Sequence, residues 1–575
     1  MLQSPFVMTI LQYFVSPIGP ALVLLAGAMV EVIVGRWVRR PGWLTGLALF
    51  FVALSVWLFL GLRTEAVVPT FSLPWRPPLQ TGANLLWVGD GWNWYISGLI
   101  LLLGGVGILL DLNTPQPAHE GGVRRAHSSL AIHLGVLAAG LLFVGSGNVL
   151  TAMLTWVVLD LFTLVRGATR PEIEEEDEPG WNSAQHQAKG LSLLGALLLL
   201  IGLLPAGLTG PGQPLQDGQL PPETVALMLL AALIRAGIYP FHLWLLPSDG
   251  LRVNVAERLL DHMVPVLCGL WLLGWTVDLG AEYILLQPDI LFLLILSLTG
   301  SALAAWTAKD QPNHTTFVLI TSAGLAALCG ALAFRSGPAG LIWPTTAFAL
   351  GGALWLVGHQ VWQTWGWQIP VSVGALALAG VPFTPGFLTQ PSLARLLTEG
   401  LLFLLLFAGL VLAQSIQVAA MLRSWSSNSP TGEQRLRSGV TVRLLIAVTA
   451  LAIPLAVVGF FPTATASLAN LQDAIPPMLG NPPSVIAEWP VLATVAIPLA
   501  LGILLVSNQP SLWRQLGPWP QRINQVTRLQ WMFRLSWWSV NQISLGWGSV
   551  VRLVEGAGYI GWVLVLFLMI FLLVR

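Results

Sequence analysis

Apolar residues in this chain run nearly unbroken for about 17–25 positions at a time, rather than recurring at every second or every third to fourth position. At 1.5 Å per residue such a run makes a helix about 30 Å long, the thickness of a hydrocarbon core. The runs fall near 18–36, 42–61, 93–110, 126–145, 147–165, 188–206, 222–246, 256–277, 286–308, 315–333, 341–361, 367–389, 398–421, 442–461, 488–506 and 556–574, sixteen in all. Gly145 to Asn148 must make a very tight turn between the fourth and fifth. Gly237 and Pro240 interrupt the seventh, which is tolerated where neighbouring helices or a cavity satisfy the freed backbone groups. The segment 507–552 has no convincing span. Its Trp531, Phe533, Trp537 and Trp538 beside Arg528 and Arg534 predict a helix lying along the membrane interface, with a bracing role. The pattern divides the chain into amino-terminal transmembrane helices over 1–125, a core over 126–425, peripheral transmembrane helices over 426–506, the interfacial amphipathic segment 507–552 and a terminal helix over 553–575. The fold class is all-α, a polytopic membrane helix bundle.

Composition excludes the alternatives. Of 575 residues, 55% are hydrophobic and 9% charged, far from the quarter usual in soluble enzymes, and 26 basic residues balance 26 acidic ones. A neutral, apolar chain is neither disordered nor a nucleic-acid binder, and lipid is its first partner. The basic residues also set sidedness. Loops after odd-numbered runs hold twenty, and the opposite side holds Arg63, Arg76, Arg335 and Arg395, so the odd loops and their basic residues face the cytoplasm and both termini lie outside. The amino terminus lacks a basic segment and a cleavage pattern and is read as retained. The acidic block 170–180 is a solvated loop or a docking patch. Cys268 and Cys329 lie inside apolar runs and are expected in the core, with no metal and no bound cofactor.

Ionisable residues at membrane depth are costly and mark polar interiors. They are Glu31, Asp160, Arg235, His242, Asp261 and His262. Asp160 is either a proton-binding carboxylate or an interfacial cap. Arg235 stays charged and biases a path or pairs with Asp160, whereas His242, seven residues on along nearly the same helical face, titrates near neutrality and suits a relay or a hydrogen-bonded helix break. Glu257 and Asp261 share a face at four-residue spacing and repel unless Arg258, Arg252 or a shared proton moderates them. With His262 beside them, they form a cap or a conduction entrance.

IRAGIYPFHLWLLPSDG at 234–250 resembles the lysine-bearing broken helix and P-(F/L)-H-x-W-L-P-D signature of the membrane subunits of respiratory complex I and related cation/proton antiporter subunits. SLTGSALAAWTAKDQPNHTTFVLITSAG at 297–324, LALAGVPFTPGFLTQ at 376–390 and HQAKGLSLLGALLLL at 186–200 are similar to further stretches of that family, in matching order over about residues 85–425. The resemblance implies an antiporter-like core of fourteen helices with two broken ones, plus a carboxy-terminal extension. It implies a non-redox membrane subunit of a complex-I-like NAD(P)H or ferredoxin:quinone oxidoreductase in a bacterial or organellar energy-transducing membrane. Other membrane and redox subunits would then be its partners and hold flavin, iron–sulfur clusters and quinone. A cation/proton antiporter or inorganic-carbon uptake complex, or a non-conducting scaffold, is the alternative. Family positions that carry the proton axis are altered: Val157 stands for a Glu, Arg235 for a Lys, Pro312 and Asn313 for Lys-Arg, Thr346 and Leu350 for His and Lys, and Gln390 for a Lys or Glu. Lys189 is kept at the start of the sixth run. A rewired proton path through Asp160, His242 and His262 stays open, with Lys189, Arg235 as a fixed charge, Glu257 and Asp261 as further candidates beside it.

Overall fold

A computed structural model describes residues 13–38, 41–64, 68–74, 84–89, 91–111, 120–168, 181–204, 215, 220–246, 254–281, 287–397, 400–427, 438–471, 489–529, 531, 538–539 and 542. Fifteen of the sixteen apolar runs fall on helices; the run 556–574, the acidic block 170–180 and most of 530–552 lie outside the described residues. In chain order the spans are α1 (Gly19–Val34), α2 (Pro41–Gly61), α3 (Gly91–Asp111), α4 (Glu120–Val144), α5 (Val149–Ala168), α6 (Trp181–Gly202) and α7 (Pro222–Arg235). They continue with α8 (Val255–Gly280), α9 (Pro288–Thr307), α10 (Gln311–Leu332), α11 (Ser336–Trp365), α12 (Ile369–Leu378), α13 (Leu401–Ser427) and α14 (Ser438–Phe460). A short α15 (Pro462–Leu468) precedes α16 (Trp489–Ser507) and α17 (Gln509–Leu516). Ten of the described helices are long and apolar enough to cross a membrane, and four shorter apolar ones accompany them. The chain is an integral, multi-pass membrane protein.

Burial separates centre from rim. The apolar windows of α8, α10 and α11 are 89%, 94% and 94% buried, whereas those of α2, α14 and α16 are 33%, 33% and 28% buried and turn the rest outward. In lipid an outward leucine costs nothing, so hydropathy alone cannot order the helices from inside to outside. Close approach is set by small residues: a Cβ on Gly269 of α8 would lie 2.2 Å from the Ala236 nitrogen just past α7. Cys268 and Cys329 are free and buried, as expected of core residues.

Two helices stop midway. The α7 helix ends at Arg235, Gly237 takes a left-handed φ of 61°, and a 3₁₀ turn over Phe241–Leu245 follows. The α12 helix ends at Leu378, with Gly380 at φ 73°, before the short helix Gln390–Ala394. Single π-type turns interrupt α8 at Leu259–Met263 and α11 at Ala347–Gly351. An antiparallel ribbon of β1 (Thr70–Pro74) and β2 (Asn84–Val88) departs from the all-helical expectation. It secures the tight α4–α5 turn, where Gly147 N donates to Leu86 O (2.8 Å), Val88 N to Gly145 O (2.8 Å) and Asn148 Nδ2 to Asn84 O (2.8 Å). The ribbon supplies partners for backbone groups that a four-residue connection leaves free.

Residues 518–575 form a separate compact unit, of which α18 (Trp519–Thr527) is described; Arg522 lies over the Trp519 ring at 5.7 Å. Within 507–529 the chain forms the short helices α17 and α18, both largely exposed. Trp513 of α17 packs back on its own bundle, 6.3 Å from Trp306 and 5.7 Å from the Arg423 guanidinium.

Candidate functional site

The inward stripe of α5 carries Ala152, Trp156, Leu159 and Asp160, spaced three and four apart, while Val157, Val158 and Leu161 point outward. Asp160 meets Arg235 at the end of α7 in a buried ion pair; the two residues are 4% and 1% exposed. Three donors converge on the carboxylate: Arg235 Nη1, Trp156 Nε1 (3.0 Å) and Ser192 Oγ of α6 (3.1 Å). Arg235 Nη1 also donates to Ser192 Oγ at 2.5 Å, and its guanidinium lies 5.0 Å from the Trp156 ring and 5.9 Å from the Trp244 ring. Trp244 Nε1 in turn donates to Ile234 O (3.0 Å), capping a carbonyl at the broken end of α7. Asp160 is therefore a buried pairing group and not an interfacial cap.

His242 is not on the face of α7 that carries Arg235. Gly237 turns the backbone before it, so His242 sits on the 3₁₀ turn, fully buried, stacked on Tyr239 at 4.8 Å and tilted against Phe317 at 5.2 Å. His262 lines a cavity of about 10 Å³, measured to the centre of a water-sized sphere, together with Ala236, Leu245, Thr316 and Phe348. That volume sits at the threshold for one water molecule. The side chain of Lys189, one turn before Ser192 on α6, lies outside the described residues.

A second polar group lies six residues further along α5, about 9 Å at the helical rise. Arg166 Nη1 donates to Asp261 Oδ1 (2.7 Å) and Arg166 Nη2 lies 3.9 Å from Glu257 Oε1. Asp111 closes α3 nearby, 3.7 Å from His133 of α4. Arg166, bonded to Asp261 across 95 residues and close to Glu257, moderates the pair; Arg258 donates to Thr315 on α10 and also attracts Glu257, and Arg252 lies outside the described residues. Arg166, Asp111 and His133 were absent from the sequence-based path. Arg166 reads as an ordinary loop cation because nothing local reveals its partner.

No protein-family model matches the chain. Over 366 residues it is 26% identical to a probable K(+)/H(+) antiporter protein of Rhizobium meliloti (strain 1021), covering 56% of this chain and 33% of that protein. The chain thus spans about a third of that relative's length. Among solved structures it is similar to the Mrp complex from Dietzia sp. DQ12-45-1b (TM-score 0.71, 15% identity, 96% of this chain and 62% of that one). It also resembles respiratory complex I from Thermus thermophilus (0.57, 19%, 78% and 98%) and the archaeal membrane-bound sulfane sulfur reductase (0.63, 15%, 84% and 99%). The chain has the antiporter-like fold of these membrane subunits.

Within that fold, the altered positions take up distinct structural roles. Val157 is 45% exposed on the outer face of α5. Pro312 occupies the first turn of α10, where its missing N–H costs nothing, behind the N-cap Asp310 that accepts from Asn313 N at 3.0 Å. Thr346 shares a hydrogen bond with Tyr95 of α3 at 2.5 Å. Leu350 is buried in the π turn of α11 and places a purely apolar side chain there. Gln390 is buried with its Nε2 3.4 Å from Gly386 O, so it steadies the α12 break without offering a titratable proton.

Proposed function

We propose that this chain is a proton-translocating membrane subunit of a multisubunit assembly of the cation/proton antiporter type, and that Asp160 is its proton-binding carboxylate. The Asp160–Arg235 pair at the break of α7 carries the reading. An ionised pair this deep is expensive, and a scaffold is served as well or better by apolar side chains of the same volume. Arg235 keeps its proton, so it acts as a fixed countercharge. When Asp160 takes up a proton, the pair opens and Arg235 is held by Ser192 and the two indole faces; when the proton leaves, the pair closes again.

Protons reach Asp160 from the end bearing the basic loops, past Glu257, Asp261 and Arg166, with Lys189 as a further member of this route. Beyond the break, His242 and His262 are the exchangeable groups, and the cavity at His262 offers the step for a bridging water. Leu350 and Gln390 interrupt the lateral axis, so the Asp160 path lies in the α5–α8 half. Other membrane subunits of the assembly are the partners, and the segment 507–552 braces them.

A second reading is favoured by coverage: the chain accounts for 98% and 99% of its complex I and sulfane sulfur reductase counterparts but 62% of the Mrp chain. In it, the chain serves a quinone-linked oxidoreductase whose flavin, iron–sulfur clusters and quinone are held by other subunits. Sealed vesicles holding the gently purified assembly separate the two. A K⁺ or Na⁺ pulse should drive proton movement reported by a pH-sensitive dye, and Asp160→Asn should lower it about a hundredfold while Asp160→Glu retains most of it. Proton movement driven by an electron donor and not by the cation would favour the oxidoreductase. Undiminished movement in Asp160→Asn would remove Asp160 from the path.

A further inference from the structure

The α10 and α11 helices meet in a polar ladder that the Asp160 path does not use. At its mouth the exposed Gln363 donates from Nε2 to Oε1 of the half-buried Gln311 at 2.5 Å. His314 lies three residues beyond Gln311, and His359 four residues before Gln363, so both histidines sit one turn deeper on the faces that meet at the mouth. One turn deeper again is Trp355, whose ring is 5.9 Å from that of His314 and 4.7 Å from that of His359. Both histidines are 3% exposed. His314 Nδ1 lies 2.9 Å from Ala305 O, leaving its Nε2 without a partner; both nitrogens of His359 are without one, as are Asn313 Oδ1, Trp355 Nε1 and Gln360 Oε1.

Buried polar atoms are nearly always satisfied. Four unsatisfied atoms on the two histidines and Trp355, mixing donors with acceptors in a ladder that opens at one end to the surface, fit a short file of water. The charged groups nearby are Arg258 of α8, bonded to Thr315; Arg423 of α13, bonded to Ala308 O with its Nη2 3.5 Å from His314 Nδ1; and the N-cap Asp310. The α12 helix brings no ionisable residue, and α14 brings Arg443. Within the ladder the imidazoles are the side chains that can both accept and donate a proton.

We propose that His314 and His359 form a hydrated proton-binding station between α10 and α11, filled from the surface through the Gln311–Gln363 mouth and closed below by Trp355. It deepens the reading of the chain as a proton carrier by adding a second intake on the half of the bundle where Leu350 and Gln390 interrupt the axis. The step is a proton transfer alone: hydronium or water at the mouth gives a proton to an imidazole nitrogen, which later passes it inward, with no bond to carbon formed or broken.

Deuterium exchange at the imidazole C2 position, followed by mass spectrometry on the intact assembly, tests hydration without requiring transport. Both histidines should exchange on the timescale of the unfolded chain; no measurable exchange over that time would overturn the station. In vesicles, the double substitution His314→Gln and His359→Gln should lower proton movement by roughly half, the share of one of two intakes. Rapid exchange combined with unchanged movement in the double variant would also overturn it. If Asp160→Asn proved silent while the histidine variant lost movement, the Asp160 reading would fail and the station would stand.

Discussion

Asp160 and Val157 are three residues apart on α5, yet one is 4% exposed against Arg235 and the other 45% exposed on the outer face. Val157, which the resemblance aligns with an acidic position, falls on the outer stripe, and Asp160 lies one turn later on the stripe that includes Trp156. The pair has a measurable signature. Arg235→Ala should lower thermal stability by about 3–5 kcal/mol because it strands a buried carboxylate. Adding Asp160→Asn should then recover part of that loss, a non-additivity that a double-mutant cycle in detergent reads directly. Simple additivity would mean the two residues do not interact. Arg166→Ala should cost about 1.5–3 kcal/mol through the lost charge-assisted bond to Asp261, whereas truncating Arg258 should leave that cluster intact.

At the scale of elements, the breaks in α7 and α12 convert backbone ends into part of the interior, and close packing holds them there. Gly269 lets α8 come against the backbone that follows Arg235, where a methyl group would sit 2.2 Å from Ala236 N. Gly269→Ala is therefore expected to destabilise by about 1–3 kcal/mol and to depress proton movement by shifting Arg235 from Asp160. Gly46→Ala, with nothing within 4 Å of its new Cβ, is the matched control and should change neither. The α7 break was legible because Gly237 and Pro240 announce it locally. The ribbon of β1 and β2 was not: its ten residues gain their meaning from the α4–α5 turn, which lies some sixty residues later in the chain.

For the whole molecule, sidedness follows from the basic loops, and the Arg166 charge group and the histidine ladder lie at the ends of α3, α5, α8, α10 and α11 that adjoin those loops. Ser72 on the ribbon and Lys309 before α10 are both exposed and lie on opposite sides in this arrangement. Ser72→Cys should react with a membrane-impermeant thiol reagent from outside only, and Lys309→Cys from the cytoplasmic side only. Buried Cys268 and Cys329 should add no background. Labelling of both new thiols from one side would break the assigned topology.

Membership of the membrane, the helices on fifteen apolar runs and the break of α7 were legible in the sequence, since each answers to a local requirement: an apolar length suited to lipid, or a residue that cannot continue a helix. The resemblance of motifs in order also pointed to the antiporter-like fold. Tertiary structure decided among the charge pairings the sequence left open, and brought together others, such as Arg166 with Asp261, that it did not suggest. Asp160 finds Arg235 across 75 residues and Asp261 finds Arg166 across 95, while His242, close to Arg235 in sequence, is turned away by Gly237. In a medium as apolar as the side chains themselves, hydropathy does not say which face of a helix turns inward. That choice is made by the packing of glycines and the pairing of buried polar groups, and both depend on segments far apart along the chain.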